Sequence, residues 1–171
     1  MAESKIKNKR IVINKMKKIN WFKLILSFAL VFGAAGLGSY FTTPAIGSWY
    51  GELVKPGFNP PSWIFGPVWI LLYLMMTTAL FIVWQKREKI ITYPVIIFTV
   101  HLALNALWSI LFFGWHNPAL ALIDIIMLWL IILYLIVYFW RLEKWAGILL
   151  IPYILWVSFA TILNYSIWVL N

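Results

Sequence analysis

The stretch Lys55–Gln85, KPGFNPPSWIFGPVWILLYLMMTTALFIVWQ, decides how the chain folds. No charged residue falls between Lys55 and Lys86, and the apolar part from Trp63 onward is long enough to cross a bilayer as a helix, which takes about 20 residues. Its first half differs in kind. Pro56, Pro60, Pro61 and Pro67 fix φ and remove backbone donors, while Gly57 and Gly66 permit turns and close approach. Trp63 and Trp69 then lie about a turn and a half of helix apart. A segment that only faces lipid requires none of this. The part Lys55–Tyr73 predicts both a proline-rich lid hinge and one wall of a ligand cavity.

The rest of the chain has the same solvent. Of 171 residues, 64% are hydrophobic and 11% charged, with a mean hydropathy of +0.90. A soluble domain carries about 25% charged residues. The alternating pattern of a transmembrane barrel is absent, so the spans are helices. Working outward from Lys55–Gln85, spans are expected over residues 21–42, 63–85, 92–113, 118–140 and 145–170, with 43–62 as the long connecting lid loop. The fold class is an all-α integral membrane protein, a five-transmembrane-helix bundle over residues 21–171, preceded by a basic segment, 1–20. Gly66 before Pro67 offers a second helix start in span 2. Pro94 suits the first turn of span 3, Asn117–Pro118 supplies a cap and first turn for span 4, and Pro152 should kink span 5.

Charge sets the topology. Eight Lys and Arg precede or open span 1, three lie in the loop after span 2 and two in the loop after span 4, against Lys55 alone on the other side. The positive-inside rule therefore places the N-terminus in the cytoplasm and the C-terminus outside. The net charge of +9 is explained by this arrangement, and nucleic acid is not an expected partner. Membrane lipid is; the basic segment reads either as a topology anchor or as an arm for anionic lipid. Small residues four apart in span 1, such as Ala29/Gly33 and Ala34/Gly38, allow close helix approach, within the chain or to a second copy.

Several chemistries are excluded. The absence of cysteine removes disulfides and thiolates. HExxH, GxSxG, a phosphate loop and paired carboxylates are all missing. No charge pathway crosses the membrane, against an ion channel or a proton-coupled pump. Asp124 is the acid within a span, read either as functional or as a buried structural partner. His101 reads as a haem-iron ligand or as a hydrogen-bonding partner, and no metal site is expected.

What remains is aromatic. Trp69, Trp108, Trp129 and Trp156 fall inside spans, away from the interfacial belts. At ~1.5 Å rise per residue, Trp69, Tyr73, Asn105, Trp108, Asp124, Trp156, Ala160 and Asn164 mostly come to the half of the bilayer below the lid loop. Helical spacing puts Trp69 with Tyr73, Asn105 with Trp108, and Trp156 with Ala160 and Asn164 on single faces. Aromatic walls with few polar groups suit a flat apolar ligand, and the same residues also serve plain interhelical packing.

Three blocks carry a family resemblance: Trp49–Tyr73, WYGELVKPGFNPPSWIFGPVWILLY; Leu104–Phe113, LNALWSILFF; and Pro152–Asn171, PYILWVSFATILNYSIWVLN. In this order they resemble the translocator protein / peripheral benzodiazepine receptor family, called tryptophan-rich sensory protein in bacteria (TspO/MBR). The resemblance implies a five-helix bundle, often a homodimer, with a pocket in its loop 1 half that binds porphyrins and other haem-pathway tetrapyrroles. Porphyrin or haem is then a ligand, and no cofactor is required. Synthetic ligands of benzodiazepine and isoquinoline type bind there too. Carried over residue by residue, the ligand site takes Tyr50, Pro60, Trp69, Tyr73, Asn105, Trp108, Trp156 and Ala160. In some bacterial relatives the tryptophans matching Trp69 and Trp156 are implicated in light-dependent porphyrin breakdown. These two are the catalytic candidates of an alternative, enzymatic reading, and a structural stress-response partner is another. The sterol motif of animal members needs a basic residue soon after the tyrosine. Here Tyr165 is followed by SIWVLN, so that motif is incomplete.

Overall fold

A computed structural model describes residues 19–171, so the basic segment 1–20 lies almost wholly outside the described residues. Helix α1, Trp21–Ile46, opens on Asn20, whose side chain accepts from the Lys23 amide at 3.1 Å. A short α2, Trp49–Glu52, follows. A 3₁₀ turn at Ser62–Ile64 leads into α3, Phe65–Gln85. Helix α4, Tyr93–Ser109, ends in a π-turn at Ile110–Gly114, and α5 spans Pro118–Leu142 behind the Asn117 cap. The last crossing is two helices, α6, Lys144–Leu149, and α7, Ile151–Leu170. Among the described residues, five stretches are long and apolar enough to span a membrane: Trp21–Ile46, Ser62–Gln85, Tyr93–Gly114, Pro118–Leu142 and Lys144–Leu170. The protein is an integral membrane protein built from helices.

Two boundaries differ from the expected ones for physical reasons. Span 1 was expected to stop at residue 42, yet α1 continues through Pro44 to Ile46. Pro44 removes only the donor to the Tyr40 carbonyl in the preceding turn, and at the helix end the Ser48 hydroxyl donates to the Pro44 carbonyl at 2.8 Å. With α2 also helical, the irregular part of the lid is confined to 53–61. In the last span the helix breaks at Leu150, and Pro152 occupies the first turn of α7, where its missing N–H costs nothing.

The break shapes the bundle. Helix α3 packs closely on α1, α4 and α6 rather than α7, and α7 packs on α5. At the α6 end a core of Met76, Leu80, Phe98, Ile132, Phe139 and Leu150 is fully closed. Gly147 makes the tight α5–α6 contact possible, because a Cβ there would sit 2.9 Å from the Trp140 backbone. Toward the lid, α7 and α3 part, and the bundle opens.

The closed end is also the basic end. The Lys86–Glu143 ion pair joins the α3–α4 connection to the α5–α6 connection. Lys23 is buried, and its ammonium donates to the Trp84 carbonyl at 3.2 Å and to the Arg87 carbonyl, where α3 terminates. A cation on free carbonyls at a helix C-terminus is favourable on both hydrogen-bonding and dipole grounds.

Candidate ligand-binding cavity

Where α3 and α7 diverge, the helices enclose a cavity of about 590 Å³. That lies within the range of ~300–1,000 Å³ typical of small-molecule sites. Trp69 and Tyr73, one helical turn apart on α3, stack at 5.3 Å between ring centroids and form one wall. Opposite them α7 supplies Trp156 and Ala160, and the Phe65 ring meets Trp156 edge-on at 5.9 Å. Helix α4 contributes Asn105 and Trp108, and Tyr50 closes the lid side.

The structure thus brings seven of the eight expected site residues to one cavity: Tyr50, Trp69, Tyr73, Asn105, Trp108, Trp156 and Ala160. Pro60 is not among the lining residues. It stands one step back, where the Tyr50 hydroxyl donates to Asn59 Oδ1 at 2.9 Å and Asn59 Nδ2 to the Pro60 carbonyl at 3.1 Å. Its part is to shape the lid that holds Tyr50. Burial pushes the Tyr50 hydroxyl above its ordinary range, opposed by the Asn59 bond, so it remains a donor at neutral pH. The lid is also tied down at a second point: the Val54 amide donates to Asn171 Oδ1 at 2.9 Å and Asn171 Nδ2 to the Val54 carbonyl at 3.0 Å.

One wall was not foreseen. Phe32, Ala35, Gly36, Ser39 and Thr42 of α1 line the cavity. Their spacing of three and four was visible, but small residues in a span read first as helix-packing positions. Gly38 does pack, since a Cβ there would lie 3.1 Å from the Ser109 hydroxyl of α4. Gly36 does not: no atom lies within 4 Å of where its Cβ would be, so its smallness leaves room rather than contact.

Several polar groups around the cavity are held by partners. Trp108 Nε1 donates to Asn164 Oδ1 at 3.0 Å, and Asn164 Nδ2 to the Pro118 carbonyl at 2.7 Å, so Asn164 positions the Trp108 ring. Trp129 lies apart, donating to Ser158 Oγ at 2.8 Å and tying α5 to α7. Trp156 Nε1 is buried without a hydrogen-bond partner among the described residues. His101 uses both ring nitrogens, Nδ1 with the Phe98 carbonyl at 3.2 Å and Nε2 with the Tyr153 hydroxyl at 3.0 Å. Of its two readings the hydrogen-bonding one holds here. Asp124 is buried outside the cavity lining, with Oδ2 unpartnered among the described residues.

A sequence model of the TspO/MBR family matches residues 25–169, which spans all the helices around this cavity. The chain belongs to the TspO/MBR family. Among its TspO/MBR relatives, the tryptophan-rich protein TspO of Chlorobaculum tepidum is 45% identical over 157 residues, covering 87% of this chain and 98% of that protein. The Archaeoglobus fulgidus protein of the same name is 41% identical over 90% of this chain and 99% of its own length. The human translocator protein is 36% identical over 124 residues, 70% of this chain and 73% of that protein.

Proposed function

We propose that this TspO/MBR protein is a membrane receptor, sensor or carrier that binds porphyrins and other haem-pathway tetrapyrroles between Trp69 and Trp156. The observation that carries the reading is the cavity itself, walled by the aromatic rings of Trp69, Tyr73, Trp108 and Trp156. Flat, apolar, polarisable ligands suit such walls, including benzodiazepine- and isoquinoline-type molecules. Relatives named translocator protein and tryptophan-rich sensory protein support a receptor or sensor role. The Lys and Arg distribution supports a cytoplasmic N-terminus and an external lid in a bacterial cytoplasmic membrane, with the cavity in the outer half. A homodimer is consistent with the exposed small residues Ala29 and Gly33 on α1.

Protoporphyrin titrated into the protein in nanodiscs should quench tryptophan fluorescence saturably. The Trp69→Phe/Trp156→Phe pair should weaken binding several-fold, since each phenylalanine keeps one ring but loses the rest of the indole face and its N–H. Unchanged affinity in the double variant would sink the site.

A second reading is favoured by one detail. Both Trp69 and Trp156 line the cavity, so either ring is within electron-transfer reach of an illuminated porphyrin held there. Light-dependent porphyrin degradation would then be lost in Trp156→Phe and retained in a tryptophan variant outside the cavity, such as Trp145→Phe.

A further inference from the structure

Behind the Tyr73 wall runs a hydrogen-bond chain whose direction can be assigned from one end. The Phe98 carbonyl can only accept, so His101 Nδ1, 3.2 Å away, carries the proton. His101 Nε2 is therefore an acceptor, and the Tyr153 hydroxyl donates to it at 3.0 Å. Having spent its proton, Tyr153 must accept from its other neighbour, which orients Asn105 with Nδ2 toward it at 3.0 Å. Asn105 Oδ1 is then turned to Tyr73, whose hydroxyl donates at 3.1 Å. His101 and Tyr153 are fully buried, and Asn105 nearly so. With no solvent to offer other partners, each assignment forces the next.

The consequence appears at the cavity. Tyr73 and Asn105 both line it; the Tyr73 proton is spent on Asn105 Oδ1, and Asn105 Nδ2 spends one of its two protons on Tyr153. What the Tyr73 hydroxyl then presents to a ligand is oxygen lone pairs. On the reading that the cavity binds ligands, we infer that the Tyr73 hydroxyl on this edge selects molecules that donate a hydrogen bond, such as a ring N–H. His101, which does not line the cavity, is the positioning residue that sets this preference. A neutral imidazole with Nδ1 held on a backbone carbonyl leaves the chain one available direction. Remove the acceptor at Nε2, and Tyr153 turns its proton to Asn105, the amide turns over, and the edge becomes a donor.

The test uses two three-ring molecules of matching shape, carbazole with an N–H and fluorene with a CH₂ in its place. Affinities are measured by equilibrium dialysis on the full chain in nanodiscs. Wild type should bind carbazole about tenfold more tightly than fluorene, the effect of one well-placed hydrogen bond. His101→Leu should bring the ratio near one. His101→Gln should restore it, because Gln can accept from Tyr153 through Oε1 and donate to the Phe98 carbonyl. A merely structural role for His101 would move both affinities together and leave the ratio alone. Equal binding of the two by wild type overturns the inference without any variant. So does a folded His101→Leu protein that keeps the tenfold ratio. If neither compound nor protoporphyrin binds, the ligand-binding reading itself fails, and this inference with it.

Discussion

At Lys23 a residue counted among the basic topology signals turns inward and holds the end of α3. A run of lysines states the sign of the charge but not where each four-carbon stem points, and this one lies on the inner face of α1 with Ser27 and Val31. Replacing Lys23 with Met keeps the bulk and strands two carbonyls. Stability should fall by about 1–3 kcal/mol, read as a lower thermal midpoint by circular dichroism in detergent, with ligand affinity unchanged. Gly36 makes the opposite case. Its Cβ position is open, so Gly36→Val should leave folding within about 1 kcal/mol of wild type and weaken protoporphyrin binding several-fold by filling the cavity. A thermal midpoint that falls steeply would instead make it a packing residue.

Among the elements, the spans were legible because apolar length and charged punctuation are properties of the sequence itself. Trp69 with Tyr73, and Trp156 with Ala160, were legible as pairs for the same reason: helical phase is arithmetic. What phase could not supply was which wall faced which. The α1 wall and the step back of Pro60 depend on how α3 and α7 diverge, and that follows from the break at Leu150. Pro152→Ala returns a donor to the broken turn, so a straighter last span should narrow the cavity. Ligand affinity should drop while thermal stability holds or rises, measured on the same preparation. The lid is held at Tyr50–Asn59 and Val54–Asn171. Asn171→Ala should speed protoporphyrin release several-fold in a stopped-flow displacement experiment, with little change in folding. Because burial raises the Tyr50 hydroxyl, its Asn59 bond is present below the ordinary value of 10.0 and is lost only as pH rises beyond it. Release should therefore be flat across neutral pH and quicken in alkali, and Tyr50→Phe should remove that alkaline limb.

Taken whole, the molecule is closed at one end and open at the other. The closed end gathers the Lys23 contacts and the Lys86–Glu143 pair; the open end carries the lid and the aromatic cavity. A bundle with this polarity has a tightly packed base at one end and a cavity at the other. The account stands on that chamber being the tetrapyrrole site. The most direct measurement is a structure of the protein with protoporphyrin bound. It should show the macrocycle beneath Tyr50, with its faces against Trp69 and Trp156. A macrocycle on the lipid-facing surface, with the cavity unchanged, would contradict it.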